Sequence, residues 1–164
     1  MPPIPHVDVR AQYAPLIPEL KAAFARTLDS GRFILGPELA GFESEAAASL
    51  GVEHAVGVAN GTDAIVLVLD ALGIGRGDEV ICPAFTFFAT AEAIARVGAT
   101  PVFADIDPQT LNLDPADVAR RISADTKAII AVHLFGRPAS AADSLRRSAS
   151  FRPRTCLRSA TAGS

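Results

Sequence analysis

The sequence predicts an α/β protein, a three-layer αβα sandwich around a mostly parallel sheet, and three observations carry that reading. Four short apolar runs, at 55–59, 79–82, 101–105 and 127–134, alternate with segments of helical spacing; parallel strands require crossover helices, so the alternation is the signature of a sheet covered on both faces. The helical segments are bounded by the residues that start and stop helices, with Asn, Pro or Asp before them and Gly behind. Finally, 49% of the 164 residues are apolar against 20% charged, enough to bury a core within one ordinary domain.

Taken in order, 17–28 carries Ile17, Leu20, Phe24 and Leu28 at helical spacing, with Ser30-Gly31 as a stop, which predicts an amphipathic surface helix. A second helix begins at Pro37, has Glu38 in its first turn, and ends at Leu50 with Gly51 as a left-handed cap. The strand at 55–59 leads into a helix at 62–72 that is apolar nearly all round, as burial against a sheet or a second subunit demands. The strand at 79–82 precedes a helix from about Phe88, 101–105 precedes a helix from Asp114, and 127–134 is the fourth strand.

Beyond residue 140 the character changes. Residues 1–140 hold ten basic and 17 acidic side chains, a balance of −7, whereas 141–164 hold five arginines and one acid, Asp143, a balance of +4. No further helix and apolar strand are predicted after Arg147, so the organisation is read as a partial domain over 1–140 and an aberrant Arg/Ser-rich tail over 141–164. A shift of reading frame near Ser140 or an intrinsically disordered tail would produce that composition.

Composition excludes several functions. A net charge of −3 and a pI near 5.6 provide no global basic field, so neither nucleic acid nor an acidic membrane surface is an expected partner. No apolar run approaches the roughly 18–20 residues of a spanning helix, and Met1-Pro-Pro-Ile-Pro-His lacks the pattern of a secretory signal, which makes the cytoplasm the expected location. Cys82 and Cys156 lie far apart with no metal-ligand spacing, and Cys82 reads as a small buried strand residue. Only two lysines are present, Lys21 and Lys127, and a Schiff-base mechanism within this chain would have to use one of them.

Four segments could carry chemistry. Asn60-Gly61-Thr62-Asp63 turns from a strand into a helix; free N–H groups at such a start, the helix dipole, a small Gly61 and the Thr62 hydroxyl form a phosphate cup in outline. A capped helix without ligand uses the same residue types. Neither the dinucleotide fingerprint nor a P-loop is present. Phe85, Phe87 and Phe88 follow a strand end, where ligands bind in open α/β sheets, and either face a planar ring or pack in the core. Asp105 and Asp107 suit a paired carboxylate and, more simply, a proline turn. His133 ends the fourth strand and either faces a ligand or serves as a hydrogen-bonded core histidine.

These residues together resemble a known family. Gly31-Arg-Phe-Ile-Leu-Gly-Pro-Glu, Phe42-Glu, Asn60-Gly-Thr-Asp-Ala, Pro83-Ala-Phe-Thr-Phe-Phe-Ala-Thr, Val102-Phe-Ala-Asp-Ile-Asp and Val132-His-Leu-Phe-Gly-Arg-Pro-Ala resemble, in order and spacing, the DegT/StrS-type sugar aminotransferases over about residues 5–140. The resemblance implies an incomplete large domain of fold type I that uses pyridoxal 5'-phosphate. It also implies a homodimer moving an amino group, commonly from glutamate, onto a keto carbon of a nucleotide-linked sugar; a few members run dehydration instead. It assigns the cofactor phosphate to Gly61, Thr62 and Asp63, ring stacking to Phe87 with Phe88 as the alternative, and a mouth loop to 33–36.

The family's pyridine-pairing carboxylate and catalytic lysine have no match here, since Lys21 lies on the first helix and Lys127 begins a strand. The chain is therefore expected to be inactive alone and, with an unpaired sheet edge, to aggregate. A non-catalytic module binding the cofactor or a nucleotide sugar, and a regulatory subunit pairing with an intact paralogue, are the other functions the residues allow.

Overall fold

The structure, a computed structural model, describes residues 8–139 and the backbone of 155–159, and the chain divides into two compact units, Met1–Gly57 and Val58–Ser164.

The first unit is helical. Helix α1 (Val9–Tyr13), absent from the sequence-based expectation, is capped by the Asp8 carboxylate, which accepts the Ala11 N–H at 2.9 Å. A 3₁₀ turn (Ala14–Leu16) leads into α2 (Ile17–Ser30), and α3 spans Pro37–Leu50. Both longer helices stop where expected, at Gly31 (φ 63°) and Gly51 (φ 65°), each in the left-handed region that a side chain disfavours. The Arg26 guanidinium pairs with Glu38 at 3.1 Å, and the Glu43 carboxylate accepts the Gly57 N–H at 2.8 Å. Burial is slight: Leu20, Phe24 and Leu28, the predicted apolar stripe of α2, are exposed, and Ala47 is the one buried apolar side chain among the described residues of α2 and α3.

The second unit is the predicted α/β layer structure. Helix α4 (Gly61–Ala71) precedes strand β1 (Glu79–Pro83), α5 (Ala89–Arg96) links β1 to β2 (Thr100–Ala104), and α6 (Pro115–Arg121) links β2 to β3 (Thr126–Val132). The sheet order is β2-β1-β3-β4, with β4 at Thr155–Ser159 and every pairing parallel. Side chains alternate across the sheet. Val80, Cys82, Ala128, Ile130 and Val132 pack on one face with Leu69 of α4 and Ile94 of α5. Ile81 and Ile129 pack on the other with Ala104, Leu113 and Val118 of α6. Both faces are covered, so the central strands read as continuous apolar runs rather than alternating ones.

Two expectations are corrected. Residues 55–59 form no strand; Val56 and Val58 are exposed, and no strand among the described residues pairs with them, because strand structure is a property of a ladder rather than of an apolar run. Conversely, a strand forms beyond Arg147, where none was predicted: Ala128 through Val132 pair in register with Thr155 through Ser159. The open edge of β3 offers a row of backbone donors and acceptors to any short extended segment. The reading of 141–164 as an aberrant tail falls otherwise outside the described residues. Helix α4 is less buried than expected: Leu69 is fully enclosed, but Leu67 and Val68 face outward.

Candidate functional site

The start of α4 is an organised polar turn. Asn60 is extended (φ −163°, ψ 174°); its Oδ1 accepts the Asp63 N–H at 2.9 Å while its Nδ2 donates to Asp63 Oδ2 at 2.9 Å. This reciprocal clasp differs from a capping box in that the acid, in the third helical position, takes the Asn60 side-chain amide rather than its backbone N–H. The Ala64 N–H is taken by the Asn60 carbonyl at 3.1 Å. The Gly61 and Thr62 N–H groups have no acceptor among the described residues, and a Cβ at Gly61 would meet nothing within 4 Å. Two unspent donors, a hydroxyl and open space therefore stand together at the positive end of an eleven-residue helix, a setting suited to an oxyanion group such as phosphate. Asp63 has spent its N–H on Asn60, and its carboxylate also faces Arg96 Nη1 of α5 at 3.4 Å.

Phe87 lies between β1 and α5 and is 68% exposed, and Phe85 and Phe88 are exposed as well, so the core-packing alternative for these aromatics is not what the structure adopts. The segment is anchored beside them: the Thr90 N–H donates to the Phe87 carbonyl at 3.2 Å, and the Thr86 and Thr90 hydroxyls lie 3.4 Å apart. No hydrogen bond among the described residues links Phe87 to the first turn of α4. The 33–36 loop belongs to the first unit, where Phe33, Ile34 and Leu35 are exposed and a Cβ at Gly36 would sit 2.4 Å from the Arg32 carbonyl oxygen.

The remaining candidates resolve into structural roles. Asp105 accepts the Ile106 N–H, and Asp107 accepts those of Gln109 and Thr110 at 2.9 and 2.8 Å. The Thr110 amide above all holds the Asp107 carboxyl below its ordinary pKa. These are turn-making acids, not a pair. His133 Nδ1 accepts the Ala139 N–H at 2.9 Å, which places the proton of the neutral ring on Nε2. Burial pushes the Cys82 thiol up to about 12, leaving it inert as a nucleophile. Lys127 Nζ donates to the Ala124 carbonyl at 3.0 Å, and Lys21 is exposed on α2. No cluster of metal-ligating side chains occurs among the described residues.

Several polar residues were missed in the sequence. Asp117 is buried, accepts the Asp105 N–H at 2.6 Å, and takes Arg120 Nη2 at 2.8 Å and Arg121 Nε at 3.0 Å. The Asp105 amide first, then the two arginines, hold its carboxyl below the usual range. The i, i+3, i+4 spacing of one acid and two arginines was a legible signal. With Val102 these residues line an open groove of about 390 Å³. Asn112 donates to the Arg137 and Pro138 carbonyls at 3.3 and 3.1 Å, fixing the turn in which Phe135 has φ 53°. Its only sequence signal was a polar residue set between two leucines.

Comparison with known proteins gives this arrangement its class. The family model described as the DegT/DnrJ/EryC1/StrS aminotransferase family matches residues 16–151, and the chain belongs to that family. The matched span runs past Ser140, where the motif-based resemblance stopped. Over 145 residues the chain is 49% identical to dTDP-3-amino-3,4,6-trideoxy-alpha-D-glucose transaminase of Streptomyces venezuelae, covering 88% of this chain and 38% of the relative. It is 50% identical to a protein of Geobacillus stearothermophilus named pleiotropic regulatory protein, covering 83% of this chain and 37% of the relative.

Among solved structures, S. venezuelae DesV in complex with a ketimine intermediate matches with a TM-score of 0.86 at 48% identity, over 91% of this chain and 40% of that one. NtdA of Bacillus subtilis with bound cofactor PMP matches at 0.82 and 32% identity, over 87% of this chain and 32% of that one. The fold is that of the fold-type-I aminotransferases, as the sequence predicted, and the chain spans about two fifths of the relatives' length or less. No described helix is long and apolar enough to cross a membrane.

Proposed function

We propose that this chain provides the phosphate-binding and ring-stacking part of a pyridoxal 5'-phosphate site in an enzyme that moves an amino group, from glutamate, onto a keto group of a nucleotide-linked sugar. The observation that carries the proposal is the pair of unspent N–H donors at Gly61 and Thr62, with open space where a Cβ would stand at Gly61. The named activity of the S. venezuelae transaminase and the PMP held by NtdA support it.

In this reading Gly61 and Thr62 bind the phosphate through their N–H groups and the Thr62 hydroxyl. Asp63 belongs to the same site as its brace: by taking the Asn60 amide it keeps Asn60 Oδ1 on its own N–H and leaves the two preceding donors pointing outward. Phe87 offers a flat apolar face to the pyridine ring. When bound, the cofactor supplies the carbon that carries nitrogen between donor and acceptor and the ring that spreads the resulting charge. In the same reading neither Lys21 nor Lys127 serves as the proton-moving lysine, the chain alone is inactive, and the enzyme acts as a homodimer in the cytoplasm.

Titration of the chain with pyridoxamine 5'-phosphate, which cannot form a Schiff base with Lys21 or Lys127, tests the site. Thr62→Val and Phe87→Ala are each expected to weaken binding by about tenfold, the worth of one hydrogen bond or one aromatic contact. Equal binding by wild type and both variants would remove the assignment. The relative named as a regulatory protein favours a second reading, a regulatory subunit. Co-purification with an intact family member, without any binding of the cofactor analogue, would select it.

A further inference from the structure

We propose that Arg96, on a different helix from the phosphate cup, is a positioning residue that sets the cup's affinity for dianions by neutralising Asp63. This rests on the phosphate reading above. The cup carries an electrostatic contradiction: a carboxylate sits in the same helical turn as the donors meant for phosphate. In an isolated helix an acid in the first turn is favourable because it compensates the dipole. Beside a bound dianion the same charge is repulsive, and only a counter-charge removes that conflict.

The structure supplies one. Arg96 closes α5, and its Nη1 lies 3.4 Å from Asp63 Oδ1, while the other carboxylate oxygen, Oδ2, is occupied by Asn60 Nδ2 at 2.9 Å. Both oxygens are thus engaged. Arg96 Nε also lies 3.8 Å from Glu92 Oε1, one turn back on its own helix, so the local set is one cation between two acids. With Arg96 in place the set sums to −1; without it, to −2. The pair is partly exposed, so its contribution to folding is small. Its effect on a dianion a few ångströms away is larger, because that interaction scales with the ligand's charge.

Affinity for pyridoxamine 5'-phosphate, read by ligand fluorescence and by phosphorus NMR at low ionic strength, tests the proposal. Arg96→Met is expected to bind about three- to tenfold more weakly than wild type, with the difference shrinking as salt is raised. Arg96→Lys is expected to stay within about twofold, because the charge is kept. Asp63→Asn/Arg96→Met is expected to recover wild-type affinity, since the amide still accepts from Asn60 and no uncompensated acid remains. Unphosphorylated pyridoxamine should not distinguish any of these proteins, a control that a general loss of structure would fail.

Absence of binding by wild type would overturn the phosphate reading itself. Wild-type binding with an unaffected Arg96→Met, or with no recovery in the double variant, would overturn only the role of Arg96. Should Arg96→Met not fold, Asp63→Asn alone reads the same charge: binding about two- to fivefold tighter is expected, and unchanged or weaker binding refutes the proposal.

Discussion

The two units of this chain contrast sharply in what they do with equally apolar sequence. In the second unit Val80, Ile81, Cys82 and Ile94 are completely enclosed, packed between a parallel sheet and helices on both of its faces. In the first, α2 carries an apolar stripe that is just as regular, yet Phe24 is 66% exposed and Leu20 and Leu28 face outward beside it. Amphipathic spacing fixes which side of a helix is apolar; it does not provide the surface that side rests on. Most helical stability comes from such tertiary packing rather than from propensity, so the second unit should hold its structure far more strongly than the first.

The largest expected effect sharpens that contrast. Ile81→Ala, in the centre of the sheet, should cost about 2–5 kcal/mol, whereas Phe24→Ala should change stability by less than about 0.5 kcal/mol. Hydrogen exchange read by mass spectrometry on the whole chain resolves both: amides of β1 and β3 should be the slowest and those of α2 among the fastest. Comparable protection in the two units would break the comparison.

Next in size is Asp117, whose carboxylate serves three donors inside the second unit. Asp117→Ala should cost about 1–3 kcal/mol by leaving the Asp105 N–H and the arginines unpaired. Because the folded-state pKa of Asp117 is depressed, its contribution is fully present above the unfolded value and is lost as pH falls from about 4 through the folded value. Denaturant melts at descending pH should show that acid loss in wild type and a flatter profile in Asp117→Asn.

Smaller again is the cap of α4. Asn60→Ala removes both arms of the clasp with Asp63 and should destabilise the helix start by about 0.5–2 kcal/mol, seen as faster exchange of the Asp63 amide with little change in β1. In the first unit, Gly51→Ala meets no steric obstacle within 4 Å and should cost about 1 kcal/mol for the left-handed conformation alone, read as fraying at the end of α3 by circular dichroism.

The smallest perturbation uses Cys82 as a reporter. With its thiol enclosed and its pKa raised to about 12, Cys82 in a Cys156→Ser background should resist thiol reagents until the second unit opens. Labelling at the rate of a free thiol under native conditions would contradict the enclosed sheet.

The sequence by itself determined the α/β class, the helix stops at Gly31 and Gly51, the cap at Asn60, three of the parallel strands and the family, because each is written in local spacing or in a contiguous motif. Side chains at 79–83 and 126–132 can be read as a doubly covered strand without knowing their neighbours. What only the tertiary structure decided depends on a partner distant in sequence. The apolar run at 55–59 finds no strand to pair with and stays unpaired, while the short Thr155–Ser159 segment becomes a strand because the edge of β3 is open to it.

Asp117 drew no reading from the sequence because its main partner, the Asp105 amide, lies 12 residues away, whereas Asp107 closes the turn that the simpler sequence reading gave it. At the start of α4, the sequence supplied the donors but not the cation that faces Asp63. That charge comes from Arg96, 33 residues away from Asp63 in the chain and 3.4 Å away in space, and pattern within a single helix cannot encode a contact made by folding two helices together.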